Sequence, residues 1–329
     1  MLNSTIRLAG ALSLAATLLG GAALAQSGGT VAFLMPDQGS TRYEEHDFPG
    51  FKAEMEKLCP DCQLIYQNAN ADVALQQQQF NSVLTQGAKV VVLDPVDSAA
   101  AASLVALAQS QGVKVIAYDR PIPDKPADFY VSFDNQAIGK AISESLVKHL
   151  EAAGVAKDKG GVLQINGSPT DAAAGLIRDG VHEGLAASGY KTLAEFDTPD
   201  WAPPKAQEWA SGQIQRFGAD IVGVVAANDG TGGGAIAALQ LVISGDQYNT
   251  ISKPSEIVGA AAAQAAAKFL AGETPEATTT LYDTPSQLFV PAVVTRENIK
   301  AEVFDKGIAA AADICTGRYA DGCAELGIK

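Results

Sequence analysis

Beyond the first 25 residues, the chain reads as short apolar runs alternating with longer amphipathic stretches. The runs at 30–35, 63–66, 89–93 and 113–118 are nearly continuous in apolar residues, as expected of strands buried on both faces. Between them, 72–86 sets Val73, Phe80 and Leu84 on one helical face, with Asp72 as N-cap and Gly87 as stop. The stretch 98–111 does the same with Leu104, Leu107 and Ala108, ending at Gly112. The alternation then restarts: helices over 137–153, 172–187 and 203–216, strands over 161–165, 190–196 and 221–226. Strand–helix–strand units of this length predict an α/β chain with parallel sheets covered by helices. Two successive sets predict two lobes of similar size. The link between them, 129–135, is short and strand-like, so the lobes can hinge but cannot tumble independently.

The N-terminal pattern is different. Arg7 is the only charge in the first 36 residues, an apolar run covers 8–24, and Ala23-Leu24-Ala25 closes it. This predicts a secretory signal peptide over 1–25, cut after Ala25, and an exported mature protein. No Cys follows the cut to carry a lipid, and no later segment is long and apolar enough to span a bilayer. About 300 mature residues exceed what one core usually organises, which again favours two domains.

Charge removes one class of partner. The formal charge is −14, from 23 basic and 37 acidic residues, and losing Arg7 makes it −15. Nucleic-acid binding needs a basic footprint, so it is not expected. The four cysteines form two close pairs, Cys59/Cys62 and Cys315/Cys323. In an oxidising compartment each pair is expected to close a local disulfide. A redox role for Cys59-Pro60-Asp61-Cys62 would need Cys59 at a helix N-terminus, whereas the motif follows the helix-like stretch 51–58.

In open parallel sheets, ligands bind beyond the carboxyl ends of the strands. Here those ends carry the segment 37–43, Asp119-Arg120, Asp134-Asn135, Asn166, Trp201 and Asn228-Asp229. Carboxylates, amides and guanidinium groups pair with hydroxyls, and aromatic rings stack on apolar C–H faces. The mixture suits a neutral polyhydroxylated ligand. The glycines at 230–234 lack a dinucleotide fingerprint and no Walker lysine follows, so close helix packing accounts for them better. His46, His149 and His182 have no metal-ligand spacing, and no nucleophile with an orienting partner stands out. A doubly wound enzyme is therefore the weaker alternative, and no metal or cofactor is expected.

The motifs Tyr118-Asp119-Arg120, Ser132-Phe133-Asp134-Asn135, Asn166-Gly167-Ser168-Pro169, and Ala227-Asn228-Asp229 followed by 232–238 are specific in combination. Together they resemble the type I periplasmic sugar-binding proteins, and within them the xylose-binding branch. The resemblance implies two Rossmann-like lobes joined by a three-segment hinge. The first would comprise 26–133 and 254–281, the second 134–253 and 282–329. It implies no catalysis and no cofactor: a monomeric receptor in the periplasm takes a monosaccharide of the xylose or ribose type by hinge closure. An inner-membrane ABC permease then reads the closed form. Chemotaxis would use the same core, and a non-binding paralogue remains an alternative.

Carried over position by position, the resemblance places Arg42, Tyr43, Asp119, Arg120, Asp134 and Asn135 on the ligand from the first lobe and hinge. It places Asn166, Trp201 and Asn228 there from the second lobe, and Lys253 from the second crossover. Where the family often has another aromatic and a nearby basic residue, this chain has Tyr43 and Glu45. After Gln240 a βα unit of roughly 25 residues, with one strand and one ligand carboxylate, is expected to be missing.

Overall fold

The structure, a computed structural model, describes residues 28–38, 42–232, 243–245 and 247–329. The expected signal peptide and the junction after Gln240 lie outside the described residues. In the first lobe, β1 (Thr30–Met35), β2 (Gln63–Asn68), β3 (Ala88–Leu93), β4 (Lys114–Tyr118) and β5 (Phe129–Phe133) alternate with α1 (Phe48–Leu58), α2 (Val73–Thr85) and α3 (Ala101–Ser110). The chain crosses into α4 (Asn135–Ala152), β6 (Gly161–Asn166), α5 (Ala172–Ser188), β7 (Lys191–Asp197), α6 (Pro203–Phe217), β8 (Ile221–Ala226) and a single helical turn, α7 (Asp229–Gly232). It returns through β9 (Asn249–Ser252) to α8 (Ser255–Leu270), β10 (Thr279–Leu281) and β11 (Thr284–Phe289), then crosses again into β12 (Ala292–Thr295), α9 (Ala311–Ile314) and α10 (Ala320–Glu325).

The first sheet has the order β10-β11-β5-β4-β3-β1-β2, parallel except for β10. Its period-2 side chains are buried on both faces, which explains the unbroken apolar runs. Val31, Phe33 and Met35 pack with Phe51 and Met55 of α1 and Val258 and Ala262 of α8, while Ala32 and Leu34 pack with Phe80 of α2 and Leu104 and Val105 of α3. The expected cap on α2 is present: Asp72 Oδ1 accepts from the N–H groups of Ala74 and Leu75, at 2.8 and 3.0 Å.

The second lobe is thinner. Its parallel sheet has three strands among the described residues, in the order β7-β6-β8, and β9 pairs with β12 as a separate antiparallel ribbon. The helices α4 and α5 meet backbone to backbone. A Cβ on Gly139 would stand 1.8 Å from the Ile177 carbonyl oxygen, and one on Gly180 would stand 2.1 Å from that of Gln136. A small separate core gathers Ile243, Val294, Ile299, Val303, Ile314 and Cys323 beside the ribbon. Cys59 is bonded to Cys62, and Cys315 to Cys323.

One expected boundary is corrected. The expectation puts residues from 282 on in the second lobe, but β11 pairs with β5 inside the first sheet. The return therefore falls after Phe289, where the Asp134 N–H donates to the Phe289 carbonyl oxygen (2.9 Å) and ties two of the crossings together.

Candidate functional site

The carboxyl ends of the first-lobe strands carry Asp37 after β1, Asp94 after β3 and Asp119-Arg120 after β4. Facing them are Ser168 after β6, and Asp200 and Trp201 after β7. Between the lobes lies a cavity of about 300 Å³, lined by Asp37, Asn70 and Arg120 on one side and by Ser168, Asp200 and Trp201 on the other. That is at the small end of the range for specific small-molecule sites.

Arg120 organises the first-lobe wall. It is 5% exposed and donates to Asp37 Oδ2 (3.0 Å), the Pro95 carbonyl oxygen (3.1 Å) and the Tyr43 hydroxyl oxygen (3.4 Å). Its Nε lies 3.5 Å from Asp94 Oδ1 and 3.4 Å from Asp171 Oδ2 without a hydrogen bond to either. Asp94 is fully buried, and among the described residues neither of its oxygens has a hydrogen-bond partner. Burial pushes its carboxyl well above the usual carboxylate range, although the Arg120 charge pulls the other way. Asp171 is pushed up by burial too, against the opposing pull of Arg120.

A second charge chain runs behind it. Arg42 donates to Asp119 Oδ2 (2.5 Å) and lies 3.6 Å from Asp47 Oδ1. Lys253, arriving on the second crossover, stands 3.8 Å from Asp119 Oδ1 and over the Phe133 ring. Burial alone would raise the Asp119 carboxyl, but Arg42 first, then Lys253 and Arg120, outweigh it and hold the group below its ordinary value. Asp119 has φ +56°, a left-handed conformation unusual for a non-glycine residue. Its carbonyl oxygen accepts from the Tyr130 hydroxyl (2.7 Å) and the Ser132 hydroxyl (2.9 Å), which hold it there.

On the opposite wall, Asp200 (φ +58°) and Trp201 (φ +54°) form a left-handed turn. The Asp200 N–H donates to Ser168 Oγ (3.2 Å), and Trp201 Nε1 donates to Asp171 Oδ2 (3.1 Å). The indole lies against Gly167, where a Cβ would come within 2.1 Å of the ring. Only glycine leaves room for the ring there.

The structure thus joins five of the predicted residues, Arg42, Tyr43, Asp119, Arg120 and Lys253, in one network, and reaches a sixth, Trp201, through Asp171. Tyr43 is buried and supports Arg120 with its hydroxyl, so its ring is not an open stacking face. The remaining four have local duties. Asp134 caps α4 by accepting from the Ala137 N–H (3.0 Å), and buried Asn135 donates to Ser132 Oγ (3.4 Å). Asn166 donates to Glu195 Oε1 (2.6 Å) and Asp197 Oδ1 (2.9 Å) within its own lobe. Asn228 caps α7 through the Thr231 N–H (2.7 Å). Sequence reasoning missed Asp94 and Asp171. Asp94 carries the same signal as Asp119, an acid directly after an apolar strand; Asp171 carries only that of a helix N-cap.

A model of the periplasmic binding protein domain matches residues 31–241. The D-xylose-binding periplasmic protein of Escherichia coli K12 is 31% identical over 270 aligned positions, covering 73% of this chain and 80% of that protein. Those 270 positions exceed 73% of 329 residues, so roughly thirty of them face no residue of this chain. The multiple sugar-binding periplasmic receptor ChvE of Rhizobium radiobacter is 25% identical, covering 93% of this chain and 98% of the receptor. Among solved structures, an ABC transporter solute binding protein from Clostridium phytofermentans with bound β-D-glucose superposes with a TM-score of 0.78. At 22% identity it covers 87% of this chain and 99% of its own, a likeness of fold.

Proposed function

The chain belongs to the periplasmic binding protein domain family, and from that premise we propose that it captures a monosaccharide of the xylose or ribose type in the cleft and delivers it to an inner-membrane ABC permease. The observation that carries the reading is the cavity wall itself: the Arg120 guanidinium and carboxylates on one lobe face the Trp201 ring on the other. A sugar offers hydroxyls to the first set and a C–H face to the second. Because its partners lie on both lobes, it binds the closed arrangement better than the open one and shifts the population toward it. Relatives named for D-xylose and for multiple sugars support the ligand class. The same relatives are periplasmic, and among the described residues no helix is long and apolar enough to cross a membrane.

A second reading, a paralogue with weakened binding, is favoured by the roughly thirty aligned positions without counterpart. Losing one buried hydroxyl partner costs about 1–3 kcal/mol, up to roughly a hundredfold in affinity. A thermal-shift panel of pentoses and hexoses separates the two. A ligand that binds only the folded protein raises its melting temperature by mass action. We expect a rise with an aldose such as xylose; a cooperative melt that no sugar moves would sink the receptor reading and leave the weakened one.

A further inference from the structure

The two halves of the cleft also touch each other directly. Residues 94–100, between β3 and α3, meet residues 168–171, between β6 and α5, and the first residue of α5. The Ser98 N–H donates to the Thr170 carbonyl oxygen (3.0 Å), and the Ala172 N–H donates to Ser98 Oγ (3.1 Å). Ser98 is 4% exposed. Beside this pair, Arg120 Nε stands 3.4 Å from Asp171 Oδ2. Asp171 accepts at the same time from Trp201 Nε1 (3.1 Å) and from the Ala173 N–H (2.8 Å).

We propose that these two loops form a latch that biases the lobes toward closure before a ligand arrives, with Asp171 as its charged member, facing Arg120 across the cleft. Ala172 heads α5, so its N–H has no carbonyl within the helix to receive it. The first lobe supplies that acceptor through Ser98. Opening the cleft would break both Ser98 bonds and draw the Arg120 charge away from Asp171, which would still be held under the indole. Two neutral hydrogen bonds and one charge contact are enough to move an open–closed equilibrium by roughly tenfold or more. None of the three uses an atom of a ligand. The inference rests on the receptor reading for the purpose of closure, but the contacts exist whatever the ligand is.

Small-angle X-ray scattering of the purified protein tests this, using wild type and Ser98→Ala/Asp171→Asn, each with and without saturating xylose. The Asp171→Asn change removes the charge that faces Arg120 and leaves one side-chain oxygen, which serves either the α5 cap or the indole but not both. A cooperative melt and an unchanged far-ultraviolet circular dichroism spectrum establish that the variant folds. Should it not, Ser98→Ala alone, which changes no apolar core side chain, carries the same comparison. We expect the variant without sugar to show a larger radius of gyration than wild type without sugar, and saturating xylose to bring both to the same radius. Equal radii for the two proteins without sugar would overturn the latch. An expanded variant that no aldose contracts would leave the latch standing and count against the sugar reading instead.

Discussion

The two lobes reach the same cleft by different means. The first builds its wall on a seven-stranded sheet whose core holds Phe33, Phe51, Tyr118, Phe129 and Tyr130 almost wholly out of solvent. Its charged groups are fixed in chains of buried ion pairs. The second builds its wall from loops on three described strands, and Val224 of β8 is 50% exposed. Its indole is placed by a left-handed turn and one hydrogen bond. The difference teaches that a rigid template and a lighter cap are sufficient to make a cleft, and that errors in the two lobes should have different consequences.

Truncation in the template core gives the largest expected effect. Phe51→Ala removes a fully buried ring 4.7 Å from that of Phe33, and should cost about 3–5 kcal/mol of stability in urea denaturation. Next comes Asp119→Asn, which removes the partner of Arg42 and Lys253 and should cost about 1–3 kcal/mol at neutral pH. The Asp119 carboxyl is held below its ordinary value, so its contribution is present above the unfolded-state pKa and is lost as pH falls through the folded one. The gap between variant and wild type should therefore close in acid; a gap independent of pH would show that geometry, not charge, is what Asp119 supplies. Trp201→Ala should lower sugar affinity about tenfold in calorimetric titration, while the melting temperature moves little. Smallest of all, Val224→Ala should stay within about 0.5 kcal/mol. A loss there as large as that of Phe51→Ala would erase the distinction between the lobes.

Much of this is legible in the sequence where local pattern and final environment agree. The apolar run at 30–35 coincides with β1, because a strand buried on both faces must be apolar throughout. Asp72 and Gly87 bracket α2 as their chemistry demands. The site is legible in part. Asp119 and Arg120 stand out because two opposite charges directly follow an apolar run. Asn166 and Asn228 give the same kind of signal but turn inward, one to Glu195 and Asp197 and the other to its own helical turn. Whether a polar group at a strand end meets a ligand or a neighbour depends on contacts distant in sequence. The strand β11 falls in the other lobe from the one expected for the same reason: nothing within Thr284–Phe289 says that its partner is β5, over 150 residues earlier.

That last pairing sets an order of assembly. The first sheet is completed by β11, and one face of it is covered by α8, yet both come after most of the second lobe in the chain. A polypeptide emerging from its N-terminus therefore has β1 to β5 in hand long before their cover and last parallel neighbour exist. Until residue 289 is free, β5 presents an unpaired edge and the Phe33–Phe51 face lacks part of its lid, the condition in which nascent chains aggregate. The lobe that begins the sequence is finished late, and the newborn chain must be kept from misassociating for nearly its whole length.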